Sequence, residues 1–306
     1  MPKVFIYKSS FTAQESISDL KELFTSYGIF ESVNVMESDF NFNVDGLNGR
    51  DITFIIPGGQ AMGMGMELKP RMEKMKSHFG NQFNYVGICA GAYIAPSEAD
   101  IFNTNYKIDQ NTKLLAAPEY VGHSSDFEAD LNIVSEYKAF GPFYPSEQDV
   151  DYSPMKGKLI PYCVNLALTN SHCNISQLYV SGCGFESVAS SSADKKTTEA
   201  IATYTSENPY KFFYPDDRSE KKIQRLSAMI SRPANAETHS GGVFLAGTHI
   251  EACVKNSRML SSFSPTKKAD AKQMLLSKES HKLLEDSQEE AAKVVVTLLK
   301  DTFKPR

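Results

Sequence analysis

The run Ile52 to Ile56, ITFII, is short, almost wholly apolar, and stops at Pro57-Gly58-Gly59. A run of this length without polar alternation fits a strand covered on both faces. Its surroundings repeat the theme. Val4 to Tyr7 is a short apolar run, and Ile17, Leu20, Leu23, Phe24 and Tyr27 then recur at helical spacing until Gly28. Val33 and Val35 alternate in a second candidate strand. Leu68, Met72, Met75 and Phe79 share one side of an expected helix over 67–79, and 83–88 reads as the next strand. This β-α-β-β-α-β order predicts an α/β protein with a mainly parallel sheet and helices on both faces. Active groups of such sheets collect at the carboxyl ends of the strands, where Pro57-Gly58-Gly59 and Cys89 both fall.

Beyond residue 105 the pattern changes. Residues 106–161 mix turn residues with short apolar pieces and read as irregular β-structure. Leu178 to Val180, Ile201 to Tyr204 and Val243 to Ala246 read as strands. Residues 205–240 read as a polar insertion whose core, Ile223 to Ile230, is expected to be helical. Ser264-Pro265 has the chemistry of a helix start, and Leu284, Ala291, Val295, Leu298 and Leu299 form an apolar stripe. The expected division is a domain over 1–255 and a helical extension over 256–306 packed on it, with a homodimer contact as the other use of the stripe.

The chain has 306 residues, and 41% are hydrophobic, enough for a packed core. A net charge of −5 argues against a general nucleic-acid grip. No apolar stretch is long enough for a membrane span, and the N-terminal MPKVFIYKSSF reads as a strand rather than a signal. Five irregularly spaced cysteines do not suit a disulfide framework, so a reducing, cytoplasmic setting is expected, with signal-independent export left open.

Cys89 lies in GICAG, where the strand ends and a new segment begins. Glycines two residues to each side suit a sharp strand-to-helix turn that exposes a nucleophile, because side chains there would collide with neighbouring backbone. A buried cysteine packed as a small hydrophobe fits these five residues equally well. A thiol nucleophile needs a base, and the base an orienting partner. Of six histidines, only His249 has a carboxylate two residues on, Glu251, and an apolar strand just before it. Spacing of two in an extended segment puts both side chains on one side. A satisfied strand-end histidine is the competing reading. Backbone N–H groups of Ala90 and Gly59 are the candidate oxyanion donors.

PGG after a buried strand, GxCxG, then HxE after the last strand resembles the class I glutamine amidotransferase superfamily. Within it, the chain is most similar to the N-terminal domain of eukaryotic biotin–protein ligases and its stand-alone bacterial relatives. The matching pieces are FIIPGGQAMGM, YVGICAGAYIA, YKAFGPFYP, LYVSGCGF, ATY and VFLAGTHIEA, in the family's order. The resemblance implies a flavodoxin-like sheet, a Cys89–His249–Glu251 triad, oxyanion donors at Gly59 and Ala90, and substrate contacts at Gly58, Gln60 and Tyr93. Tyr93 stands where glutamine amidotransferases usually carry glutamine, which implies a different side to the pocket. Nothing resembles a ligase catalytic domain, so biotin ligation is not expected.

The expected activity is therefore a cysteine-dependent amidase or related hydrolase acting on a small or peptide-like amide, with no cofactor and no metal. A non-catalytic binding or regulatory module of the same fold, and a glyoxalase- or peptidase-like activity, are the alternatives. Cys163, His172, Cys173 and Cys183 match no closed zinc pattern and read as core residues. The methionine run in GGQAMGMGMELKP reads as a loop leading into a helix, at a pocket mouth or as packing. Phe143 and Tyr144 read as core or pocket wall. Lys267-Lys268 and Glu220-Lys221-Lys222 read as solvated surface.

Overall fold

A computed structural model describes residues 3–30, 34–37, 48–97, 99–101, 104–105, 119–120, 131–141, 143–145, 161–171, 173–188, 197–205, 210–212, 226–267 and 275–304. The chain is α/β. Its strands are β1 (Lys3–Lys8), β2 (Asn34–Glu37), β3 (Ile52–Ile56), β4 (Asn84–Ile88), β5 (Ala99–Ile101), β6 (Thr104–Asn105), β7 (Glu119–Tyr120) and β8 (Tyr137–Gly141). These are followed by β9 (Phe143–Pro145), β10 (Pro161–Leu168), β11 (Asn174–Val180), β12 (Gly184–Ser187), β13 (Glu199–Thr205), β14 (Tyr210–Phe212), β15 (Ser227–Arg232) and β16 (Val243–Ala246). The helices are α1 (Gln14–Ser26), α2 (Ala61–Phe79), α3 (Ala90–Tyr93), α4 (Arg258–Ser262) and α5 (Lys278–Phe303).

One mixed sheet dominates the described residues, in the order β11-β10-β13-β15-β16-β4-β3-β1-β2. The stretch β2-β1-β3-β4-β16 is parallel throughout. From β16 onward, through β15, β13, β10 and β11, every pairing is antiparallel. β12 joins the sheet at β15 and carries β8 and β5 beyond it. The antiparallel part curls back, so that Leu178 on β11 bridges His249, just past the end of β16.

Alternation along the central strands divides the core in two. Ile55, Val86, Phe244 and Ala246 join the cluster that holds Leu20 and Phe24 of α1 and Val295 and Leu299 of α5. Phe54, Tyr85, Val243 and Leu245 join the cluster that holds Met64, Leu68, Met72 and Phe79 of α2. Every residue of β3 is buried, because each strand face meets one of these clusters.

Several expectations change. Of the segment 223–230, expected to be helical inside an insertion, residues 227–230 instead belong to β15, which lies between β13 and β16. The strand is buried at nearly every position, so it carries no polar face to reveal its period, and tertiary pairing decides its state. The methionine run is not a loop. α2 begins at Ala61, and Gly63, Met64 and Gly65 are buried within it. A Cβ at Gly63 would stand 2.3 Å from the Phe11 ring, so glycine lets the helix close on the loop after β1 despite its poor helix propensity. Ser264-Pro265 opens no helix; the Ser264 hydroxyl instead accepts the Thr266 N–H in a local turn. α5 starts at Lys278 and is capped by Ser277, whose side chain accepts the Ser280 N–H. Of its stripe, Leu284, Ala291, Val295 and Leu299 are buried and Leu298 partly so. α5 lies against β10, β11 and β16 of its own chain. The expectations for Val33, most of 106–160, His172, Glu220-Lys221-Lys222 and Lys268 fall outside the described residues.

Among the described residues, no helix is long and apolar enough to cross a membrane.

Candidate active site

β3, β4 and β16 are parallel neighbours, with Ile56 paired to Gly87 and Ala246 to Ile88. Their carboxyl ends therefore lie side by side, and they deliver Pro57-Gly58-Gly59, Cys89 and Gly247-Thr248-His249 to one rim. This is the sheet geometry at which α/β proteins build sites.

Cys89 sits between β4 and α3 with φ 50° and ψ −105°, a strained backbone for a residue with a side chain. Its N–H is held by the Ala246 carbonyl at 2.8 Å, which ties the turn to the neighbouring strand. The flanking glycines are required sterically. A Cβ at Gly87 would lie 2.5 Å from the Gly91 carbonyl oxygen, and one at Gly91 would lie 2.2 Å from that of Ile56. Cys89 is 5% exposed, and its Sγ is 3.5 Å from the Val180 carbonyl oxygen.

His249 Nδ1 is 2.9 Å from Glu251 Oε1, with the two residues 2% and 0% exposed. The segment is not extended as the spacing argument assumed. Ile250–Cys253 is a 3-10 turn with His249 at its cap, and that turn brings the carboxylate back to the ring. The His249 N–H is bonded to the Leu178 carbonyl at 2.8 Å, so β11 fixes the backbone from the antiparallel side. Burial opposes charge on the imidazole. Glu251 and Cys89 outweigh it, through their negative charges and side-chain hydrogen bonds to the ring, and push the His249 pKa up to about 10.

The PGG turn packs directly on this pair. A Cβ at Gly58 would stand 2.6 Å from His249 Cε1 and 3.5 Å from Cys89 Cβ. Gly59 has φ 151°, and a Cβ there would lie 2.1 Å from the Phe11 carbonyl oxygen. Gln60 caps α2, with its N–H on the Phe11 carbonyl at 2.8 Å and its Oε1 buried without a hydrogen-bond partner among the described residues. Ala90 opens α3, so its N–H belongs to the first-turn amides that a helix leaves unused. Tyr93 is buried and donates its hydroxyl to the Gly182 carbonyl at 2.6 Å. The structure thus brings Cys89, His249, Glu251 and Gly58 together, with Gly59 and Ala90 adjoining in the chain, while Tyr93 spends its hydroxyl on the SGCG segment.

Sequence reasoning missed Ser16 and Asp19, both buried on α1. Ser16 Oγ donates to Glu251 Oε1 at 2.5 Å. Asp19 accepts from Ser257 Oγ at 2.5 Å, Met259 N at 2.8 Å and Arg258 N at 3.0 Å, joining α1 to the start of α4. Burial pushes the Asp19 carboxyl up, against these donors. The available signal was two polar residues three apart beside the apolar stripe Ile17, Leu20 and Phe24.

The other cysteines have different settings. Burial pushes Cys163 up to about 11 and raises Cys183 and Cys253 as well, which keeps them thiols. Cys173 is exposed. Among the described residues, no group of three or more His, Cys, Asp or Glu is placed to hold a metal ion.

No protein-family model matches the chain, and a comparison with curated proteins returns no matching sequence.

Proposed function

We propose that the chain is a cysteine-dependent amidase or related hydrolase on a flavodoxin-like sheet, akin to the class I glutamine amidotransferase superfamily. One observation carries the reading: a nucleophile-type turn at Cys89 that shares the Gly58 contact with the His249 ring, and that ring held 2.9 Å from a fully buried carboxylate. The order β2-β1-β3-β4-β16 of the parallel strands supports the flavodoxin-like assignment, since it follows the pattern in which the chain steps outward and then reverses.

In this reading Cys89 Sγ attacks the carbonyl carbon of a small or peptide-like amide, forming a C–S bond. The developing oxyanion is met by the N–H groups of Ala90 and Gly59. A ring pKa of about 10 leaves His249 protonated near neutral pH, so the proton for the departing amine is already in place. Collapse breaks the C–N bond and leaves a thioester. Water then gives a proton to His249, attacks the thioester carbon, and the acid departs as the thiolate–imidazolium pair is restored. Glu251 holds the ring through Nδ1 throughout, which assigns the proton transfers to Nε2.

The near-complete burial of Cys89 and the Val180 carbonyl beside its sulfur favour a second reading, a non-catalytic binding or regulatory module. Hydrolysis of a panel of small and dipeptide-like amides by wild type, Cys89→Ala and His249→Ala separates the two. The hydrolase reading expects turnover that falls by about 10³-fold or more in each variant. Binding without turnover supports the module instead, and turnover that survives in Cys89→Ala overturns the role given to Cys89.

A further inference from the structure

We infer that Ser16 is a positioning residue of the Cys89–His249–Glu251 site, tying both the triad carboxylate and the PGG turn to the first turn of α1. This rests on the hydrolase reading for its catalytic meaning, although its geometry stands without it.

Ser16 is fully buried in the first turn of α1, 235 residues from its partner in the chain. Its hydroxyl does two jobs. It donates to Glu251 Oε1 at 2.5 Å, and its oxygen accepts the Gly58 N–H at 3.4 Å. Gly58 is gripped a second time, because its carbonyl accepts the Ala13 N–H at 2.9 Å. The first turn of α1 thus clamps the residue whose Cα faces both the His249 ring and Cys89.

Glu251 Oε1 takes both Ser16 O–H and His249 Nδ1, while Oε2 is buried with no hydrogen-bond partner among the described residues. A buried carboxylate needs donors to replace its lost hydration, and among the described residues only two reach it. Removing the serine hydroxyl leaves the anion with the ring alone. The carboxylate then loses its tether to α1, its hold on Nδ1 loosens, and its support of the imidazolium weakens. The charged and titratable groups around it are His249 and Cys253 on its own segment, Asp19 on α1, and Cys89 across the ring. None of the other three donates to Oε1, so none replaces Ser16 there.

The test follows the ring nitrogens of His249 by ¹⁵N NMR against pH, together with the iodoacetamide rate at Cys89 in a Cys173→Ser background. Ser16→Ala is expected to lower the His249 midpoint by about one pH unit or more and to slow Cys89 alkylation at pH 7 about tenfold. Ser16→Thr, which keeps the hydroxyl, is expected to restore both. If Ser16→Ala does not fold, Ser16→Cys, similar in size but a weak donor, read by NMR alone, is expected to show the same lowered midpoint. A midpoint and rate unmoved by loss of the hydroxyl overturn the inference. A wild-type Cys89 no faster than free cysteine overturns the hydrolase reading instead, and the His249 midpoint then decides the role of Ser16 by itself.

Discussion

The two halves of the sheet reach the site in different ways. The parallel half, β2-β1-β3-β4-β16, delivers its residues at strand ends, one after another along a rim. The antiparallel half, β15-β13-β10-β11, delivers nothing reactive but curls back to hold what the first half presents. Leu178 on β11 fixes the His249 N–H, and the Val180 carbonyl lies beside the sulfur. A site can thus take its chemistry from one half of a sheet and its rigidity from the other.

If the antiparallel half were only a cover, crowding its junction with the rim would be mild. Gly182 makes the opposite prediction. A Cβ there would sit 1.7 Å from the Gly247 carbonyl oxygen, tighter than the 2.2 Å that Gly91 would meet at Ile56. Gly182→Ala and Gly91→Ala are each expected to cost about 3 kcal/mol or more in chemical denaturation, because backbone rather than a flexible side chain must yield. A mild Gly182→Ala beside a severe Gly91→Ala would show that the two halves are not joined so closely.

The next effect is electrostatic. His249 is raised from 6.5 to about 10 in the fold, so its charged form stabilises the native state. That contribution is fully present below about pH 6.5 and is lost as pH rises toward 10. The stability gap between wild type and His249→Gln is expected to shrink across that window by on the order of a few kcal/mol. A gap that widens with pH would mean that the ring is held neutral and that Glu251 does not support its charge.

Asp19 should matter less and act away from the chemistry. Asp19→Ala leaves Ser257 and the first amides of α4 without their acceptor and is expected to cost about 2 kcal/mol, read by thermal or urea unfolding. The His249 midpoint should barely move. A large movement there would extend the clamp of α1 beyond Ser16.

The same contrast explains what the sequence disclosed. β3 is a short apolar run closed by Pro57-Gly58-Gly59, β4 is a short run whose exit is flanked by Gly87 and Gly91, and α1 repeats its apolar side at helical spacing, so period and punctuation placed Cys89 and the PGG turn. His249 and Glu251 were found by their spacing of two after a strand, although a 3-10 turn rather than an extended segment brings them together. β15 stayed hidden because both its faces are buried, which erases alternation. The start of α2 hid behind Gly63 and Gly65, whose small size serves packing rather than propensity. Ser16 showed only as one of two polar residues beside the apolar stripe of α1, since its meaning depends on a carboxylate 235 residues away.

The central claim is that remote segments converge to set an imidazolium against the Cys89 sulfur. Its most direct test is the iodoacetamide rate at each of the five cysteines at pH 7, followed by mass spectrometry, in wild type and His249→Ala. The account predicts that Cys89, though buried, reacts about tenfold or more faster than the exposed Cys173, and that this advantage disappears without His249. A Cys89 slower than Cys173 in wild type, or one whose rate ignores the loss of His249, would contradict it.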